Sequence, residues 1–257
     1  MVTEQEVEAV GQTLVDPQQP LQARFRALFT LRGLGGPVAI AWISRAFDDD
    51  SALLKHELAY CLGQMQDRRA IPMLLDVLRD TRQEPMVRHE AGEALGAIGD
   101  PEVLEILKQY STDPVVESTQ SPSVFLELPL WPGRCWDITT TWTQGGSAEG
   151  AGLRCGSALF RHEIGYVLGQ MQQEAAVPQL AAALARPTES PMVRHECAEA
   201  LGAIARPACL AALRAHVADP ERVVRESCEV ALDMYAHETG STFQYADGLE
   251  RLRSPLS

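Results

Sequence analysis

Adjacent histidine and glutamate residues occur at four matched positions of this chain. The pairs are His56-Glu57, His89-Glu90, His162-Glu163 and His195-Glu196. Within each half of the chain the two histidines are 33 residues apart, and the two halves are offset by 106 residues. Imidazole nitrogens and carboxylate oxygens are metal ligands, so the duplicated set suggests two metal ions at a pseudo-twofold interface.

The pairs lie within a longer internal duplication. Residues 51–66 (SALLKHELAYCLGQMQ) and 157–172 (SALFRHEIGYVLGQMQ) are identical at 11 of 16 positions. Residues 85–98 (PMVRHEAGEALGAI) and 191–204 (PMVRHECAEALGAI) are identical at 12 of 14. Because a duplication copies whatever it contains, the independent evidence is the recurrence of the pair within one half. This recurrence favours metal binding over the alternatives, a solvated polar face or a histidine that caps its neighbour.

Two further histidines serve as internal controls. His237-Glu238 is also a His-Glu pair, but it follows the last predicted helix and has no partner 33 residues away. We interpret it as an ordinary helix end, and we interpret His216 as helix surface.

The elements that must position the pairs are helices in a repeat of about 33 residues. Helices are predicted at 52–66, 70–78, 86–98 and 101–110, in an all-α solenoid of HEAT-like hairpins. The first has an apolar stripe of Leu54, Leu58, Cys61 and Met65, and the third one of Val87, Ala91, Ala94 and Ile98. Adjacent residues on a helix point about 100° apart, so we expect that no His-Glu pair lies wholly in the core. Successive first helices stack side by side, which should make His56 and His89 neighbours.

Composition favours packed helices in a reducing compartment. Aromatic residues make up only 6% of the chain, and the six cysteines form no disulfide-like framework, at least four being expected as buried thiols. The N-terminus lacks a signal peptide and no segment is apolar enough to span a membrane. We therefore expect a cytoplasmic protein. The net charge of −13 argues against nonspecific nucleic-acid binding and favours a cationic partner or metal ions, although it would also serve solubility alone.

The middle of the chain breaks the repeat. We divide the chain into a HEAT-repeat half (1–117), an irregular segment (118–154), a second HEAT-repeat half (155–239) ending in a capping helix near 219–235, and a loosely held tail (240–257). A unit at 20–49 precedes the first copy, whereas nothing comparable precedes the second. The 37 residues of 118–154 are too few for the missing capping helix and helical pair. We infer that a symmetric parent lost this region and that foreign sequence fills it. The alternative is a natural linker domain.

The ligand types limit the chemistry. Imidazole and carboxylate without thiolate suit iron, manganese or zinc in an open site. The chain has no Glu-x-x-His motif of the ferritin-like di-iron bundles, and no Gly-rich phosphate loop, GxSxG or HExxH motif.

Four segments of the chain closely resemble the deoxyhypusine hydroxylase family. They read LKHELAYCLGQMQ, PMVRHEAGEALGAIGDPEVLEIL, FRHEIGYVLGQMQ and PMVRHECAEALGAIARPACLAAL. The resemblance covers roughly residues 1–117 and 155–257. It implies a non-haem di-iron monooxygenase that uses O2 to hydroxylate the deoxyhypusine side chain of the hypusine-bearing translation initiation factor.

The resemblance also implies roles for the eight residues of the pairs. One Fe2+ would be held by His56, His89 and Glu90, and the other by the equivalent residues His162, His195 and Glu196. Glu57 and Glu163 would support the ligands, coordinate occasionally, or bind the substrate ammonium group. The implied partner is a basic protein loop, and we expect a monomer without nucleic-acid or membrane contacts.

The chain departs from the symmetric halves of that family. Ile164, Val167, Leu168 and Met171 would lose an adjacent repeat and expose apolar surface, so we expect an unstable or weakly active form. Two alternatives to an active enzyme follow: an impaired variant that still binds the factor, and a metal-free HEAT scaffold that binds a partner without catalysis.

Overall fold

The computed structural model describes residues 2–110, 152–240 and 245–253, which form two compact units. Unit 1 comprises residues 2–110 and 245–253, and unit 2 comprises residues 152–240. Every regular element in these ranges is a helix. This confirms the predicted all-α class, with helical hairpins of HEAT type.

Unit 1 contains seven consecutive helices and a short helix from the end of the chain. They are α1 (Glu4–Val15), α2 (Leu21–Leu34), α3 (Gly36–Arg45), α4 (Ala52–Met65), α5 (Ile71–Arg79), α6 (Pro85–Ile98), α7 (Pro101–Tyr110) and α13 (Gly248–Arg253). The first four helices of unit 2 correspond to α4–α7 of unit 1, and a fifth helix follows them. Its helices are α8 (Ala158–Gln170), α9 (Val177–Leu184), α10 (Pro191–Ile204), α11 (Pro207–Ala215) and α12 (Arg222–Glu238).

Local sequence signals explain where the repeated helices begin. The hydroxyl of Ser51 accepts a hydrogen bond from the Leu54 amide (3.1 Å) at the start of α4, and Ser157 caps α8 through the Phe160 amide (3.3 Å). Proline occupies the first turn of α6 and α10, where its missing N–H costs nothing. The predicted helix bounds are therefore confirmed to within one or two residues in the first copy.

Small residues bring the histidine-bearing helices of each unit together. A Cβ atom added to Gly63 of α4 would lie 2.8 Å from the Ala94 backbone of α6, and one added to Gly169 of α8 would lie 2.9 Å from Ala200 of α10. Nothing larger than glycine fits at this crossing, so the axes approach closely. The glycine of the repeated LGQM segment thus sets the spacing across which the His-Glu pairs meet.

The end of the chain is docked on unit 1. Arg26 of α2 forms an ion pair with Asp247 (2.9 Å) and stacks over the Tyr245 ring, and the Gly248 amide donates to the Thr30 hydroxyl (3.1 Å). The expectation of a loosely held tail is therefore wrong for residues 245–253. These contacts depend on tertiary packing, and no local pattern in the tail predicted them.

The first helix of unit 2 has an exposed apolar edge. Phe160 and Met171 are 45% and 40% exposed, whereas Leu54, the equivalent of Phe160 in unit 1, is fully buried. The expected exposure is confirmed for Met171, which follows the last residue of α8, and Val167 is half-buried. The expectation is wrong for Ile164 and Leu168, which are buried in the core cluster of unit 2. These two residues face α10 and the interior, so a missing preceding repeat does not uncover them.

The predicted irregular segment, 118–154, lies outside the described residues apart from its last three. Of these, Leu153 is buried in the core cluster of unit 2. Cys61, Cys197, Cys209 and Cys228 are buried free thiols on helices, as predicted. Among the described residues, no helix has the length and apolarity needed to cross a membrane.

The two equivalent positions in α4 and α8 should respond differently to truncation. Leu54→Ala is expected to lower the free energy of unfolding by about 2–4 kcal/mol because it leaves a cavity, whereas Phe160→Ala should cost less than about 1 kcal/mol. Chemical denaturation measures both changes. Leu58→Ala and Ile164→Ala form the matched control, since both side chains are buried and both should be costly. Equal losses at Leu54 and Phe160 would contradict the exposed edge.

Candidate functional site

Each unit gathers its two predicted His-Glu pairs on adjacent helices. The pairs lie on α4 and α6 in unit 1 and on α8 and α10 in unit 2. The four histidines are between 0% and 4% exposed, and three of the four glutamates are also buried, Glu163 being the exception. The expectation that no pair lies wholly in the core is therefore wrong. Burial also contradicts the alternative of a solvated polar face.

In unit 1 the imidazole of His56 lies between two carboxylates. Its Nδ1 is 3.3 Å from an oxygen of Glu57 on the same helix, and its Nε2 is 3.2 Å from an oxygen of Glu90 on α6. Nε2 of His89 is 3.0 Å from Glu93, one helical turn further along α6. The stacking of α4 on α6 thus brings together both predicted pairs of this unit.

Unit 2 repeats this arrangement. His162 lies between Glu163 (Nδ1 to oxygen, 3.0 Å) and Glu196 (Nε2 to oxygen, 3.3 Å). The rings of His162 and His195 are 5.4 Å apart between centroids. One ligand atom from each of His195, Glu196 and Glu199 lies within 4.8 Å of the other two. Such a group is compact enough to hold one metal ion.

The paired carboxylates control the protonation of the first histidine in each unit. Burial alone would lower the pKa of His56, but Glu90 and Glu57 outweigh it, and the pKa lies well above its ordinary value. Burial is likewise outweighed by Glu163 and Glu196 at His162, whose pKa is also well above its ordinary value. Each site therefore favours a positive charge between its carboxylates. A metal cation satisfies the same requirement, and its binding would displace the proton.

The nearby thiols do not belong to the ligand set. Burial raises the pKa of Cys61, next in sequence to Tyr60, and of Cys197, which follows Glu196. Both thiols therefore stay neutral at physiological pH, whereas a cysteine coordinates a metal as the thiolate. The available donors are imidazole nitrogens and carboxylate oxygens, which suit iron, manganese or zinc.

Two carboxylates in the clusters were not among the predicted site residues. Glu93 and Glu199 contact His89 and His195. The signal was present in the sequence, because both second pairs read His-Glu-x-x-Glu whereas both first pairs read His-Glu-x-x-Tyr. A residue four positions after a helical histidine lies on the same face as that histidine.

His216 and His237, the two control histidines, are not part of these clusters. His216 follows the last residue of α11 and its Nδ1 is 2.9 Å from the Ala212 carbonyl oxygen, while His237 lies in the last turn of α12. The interpretation of His237 as a residue of a helix end is confirmed, but the expectation that it follows the helix is wrong, because it is buried inside the last turn of α12. His216, interpreted as helix surface, is the half-buried residue that caps α11.

Comparisons with known proteins agree with this architecture. Residues 40–123 and 150–233 match the family of HEAT repeats. Deoxyhypusine hydroxylase of Bos taurus is 73% identical and that of Homo sapiens 68% identical, and each alignment covers all of this chain and all of the relative. The 303 positions aligned with the bovine protein exceed the 257 residues of this chain by 46. The bovine protein is therefore longer than this chain. That the missing residues were lost at the segment 118–154 stays a prediction.

A solved structure gives the same result at the level of the fold. The structure of human deoxyhypusine hydroxylase in complex with glycerol superposes with a TM-score of 0.82 at 68% sequence identity, covering 91% of this chain and 97% of that chain. Similarity along the whole sequence and similarity of fold thus lead to one conclusion. The chain belongs to the deoxyhypusine hydroxylases, a family of HEAT-repeat monooxygenases.

Proposed function

We propose that this chain is a deoxyhypusine monooxygenase that hydroxylates the deoxyhypusine side chain of the hypusine-bearing translation initiation factor at a non-haem di-iron centre. The observation that carries the proposal is the buried His-Glu cluster that recurs in both units, where His56 and His162 have the same two carboxylate contacts. A structural histidine does not require two carboxylates, and a duplicated pair of such histidines fits a two-ion cofactor.

The proposed ligands are three residues in each unit. His56, His89 and Glu90 would hold one Fe2+, and His162, His195 and Glu196 would hold the other. The donor types fit, because each set offers two imidazole nitrogens and one carboxylate on helices in direct contact. Rigid helices restrict these side chains, which favours a fixed coordination geometry.

Bound iron would activate O2 so that one oxygen atom enters a C–H bond of the side chain, while the other leaves as water after it takes up two electrons from an external reductant and two protons from the solvent. The protein residues bind and orient. Glu57 and Glu163 lie beside the proposed ligands His56 and His162, and carboxylates in this position can accept hydrogen bonds from the ammonium groups of a long cationic substrate. Burial of the cluster limits the access of water to the reacting groups.

The charge of the chain suits the proposed partner. A net charge of −13 attracts a basic protein and increases its rate of association at low ionic strength. The location that we propose is the cytoplasm, and the proposed form is a monomer.

One experiment tests the function directly. The purified full chain is loaded anaerobically with Fe2+, and then given reductant, labelled O2 and the deoxyhypusine-bearing factor. Mass spectrometry should find one labelled oxygen atom on the factor and none after the chain has been stripped with a chelator. Elemental analysis of the same sample should find about two iron ions per chain.

Other outcomes would support one of the two alternatives. A chain that binds the factor and iron but transfers no oxygen is an impaired variant, which the exposed edge of α8 at Phe160 and Met171 would favour. A folded chain without iron that still binds the factor is a scaffold. Either result contradicts the proposed activity.

A further inference from the structure

One carboxylate in each unit contacts the second histidine from the following helical turn. Glu93 lies 3.0 Å from Nε2 of His89 on α6, and Glu199 lies 3.4 Å from Nδ1 of His195 on α10. Within the described residues, no other histidine contacts a carboxylate four residues later in the sequence. Neither glutamate belongs to a His-Glu pair.

The first and second histidines of each unit are held differently. His56 and His162 contact the adjacent glutamate of their own pair and the glutamate of the second pair. Tyrosine rather than glutamate stands four residues after each of them. The carboxylate one turn away is therefore specific to His89 and His195.

The environment of these contacts makes them effective. The side chains of His89 and His195 are 1% and 0% exposed, and those of Glu93 and Glu199 are 17% and 22% exposed. A contact with a carboxylate is stronger where water is excluded, and burial restricts rotation of the ring. Each glutamate is therefore well placed to determine how its histidine presents its two nitrogens.

A neutral imidazole has one N–H group and one nitrogen with a free lone pair. A carboxylate that accepts the N–H fixes the tautomer, directs the lone pair to the opposite side of the ring, and makes the imidazole a better ligand. In unit 2, Nδ1 of His195 is hydrogen-bonded to Glu199. In unit 1, Nε2 of His89 lies 3.0 Å from Glu93 but without hydrogen-bond geometry, so there the carboxylate acts on the orientation of the ring through its charge.

We propose that Glu93 and Glu199 are positioning residues that hold His89 and His195 in the tautomer and orientation required for iron binding. This inference rests on the proposed di-iron function, since it assigns a partner to one imidazole ligand of each ion. The two glutamates do not touch substrate in this role. They act through the histidines.

The test measures the affinity of the metal-free full chain for Fe2+ alone, by anaerobic titration. Glu93→Ala and Glu199→Ala should each weaken the binding of one ion by about 10- to 100-fold. Glu93→Gln and Glu199→Gln should retain most of the affinity, because the amide oxygen can still accept the imidazole N–H. Glu102→Gln, an exposed site in the first turn of α7, is the matched control and should bind as the unaltered chain does.

The outcomes separate this inference from the proposed function. Alanine variants with unaltered affinity would overturn the positioning role alone. If the glutamine and alanine variants each lost a whole ion, the carboxylates would be metal ligands. That result would also overturn the positioning role. An unaltered chain that binds no iron would overturn both proposals. Thermal melts of the metal-free variants identify any loss of affinity that is due to unfolding.

Discussion

Replacing His56 by alanine is expected to reduce the iron content of the purified chain from about two ions to one or fewer, and to lower turnover by about 10³-fold or more. His56 contacts the glutamates of both His-Glu pairs in unit 1. Its removal deletes one of three proposed ligands and leaves two buried carboxylates without the positive partner between them. Mutual repulsion of these carboxylates should then distort the rest of the set.

His162→Ala should have the same effect through unit 2. Its ring contacts Glu163 and Glu196 as that of His56 contacts Glu57 and Glu90. Elemental analysis and single-turnover oxygen incorporation measure the two losses, and each variant should retain at most the ion of the other unit. His216→Ala is the control, because His216 follows α11 and contacts a backbone carbonyl. It should keep the iron content of the unaltered chain.

A different pattern would contradict the ligand assignment. If His56→Ala and His162→Ala both kept full iron content and turnover, the clusters would be structural rather than coordinating. If His216→Ala lost iron as they did, the effect would come from general destabilisation. Thermal melts of all three variants separate these cases, since the loss of a ligand should reduce iron content at temperatures where the chain remains folded.

Apolar periodicity was sufficient to predict the helices of the first copy. The apolar stripe of α4 gives the buried side correctly at Leu54, Leu58 and Cys61. These features are local, so a single sequence contains them. The stacking of successive first helices, which the repeat itself imposes, predicted that the two His-Glu pairs of one unit lie close together. The contact between His56 and Glu90 was found only in the structure.

The features that were missed depend on contacts distant in sequence. The burial of Glu57 follows from the packing of the folded chain, which the 100° rule for adjacent residues does not consider. The docking of residues 245–253 depends on Arg26 and Thr30, more than 200 residues away.

Replacing Arg194 by alanine is expected to give the largest loss of stability, about 3–5 kcal/mol, because it leaves a buried carboxylate without its partner. The guanidinium group donates to both oxygens of Asp219 (3.1 and 2.5 Å) and to the Leu184 carbonyl (2.7 Å). It therefore connects α10 to the end of α9 and to the turn before α12. Both side chains of the ion pair are at most 6% exposed.

The consequence should extend to the proposed metal site, because His195 is the next residue on α10. Arg194→Ala should lower the denaturation midpoint and also weaken iron binding to unit 2. Arg214→Ala is the control, since Arg214 lies exposed on α11 and its removal should cost less than about 0.5 kcal/mol. The double variant Arg194→Leu with Asp219→Leu should recover part of the loss, because no unpaired charge then remains buried. If Arg194→Ala were as stable as Arg214→Ala, the ion pair of Arg194 with Asp219 would not stabilise the fold as proposed.

The same ion pair predicts a loss of stability in acid. Burial acts to raise the pKa of Asp219, but hydrogen bonds from Arg194 and from the Glu221 amide outweigh it, and the pKa lies below its ordinary value. Because the folded pKa is below the unfolded value of about 3.9, the carboxylate stabilises the fold fully at neutral pH. This contribution is lost as the pH falls from about 4 through the folded pKa. The difference in unfolding free energy between the unaltered chain and Asp219→Asn should therefore be constant from neutral pH to about pH 5 and shrink below about pH 4. A difference that does not change with pH in this range would mean that another group controls the titration.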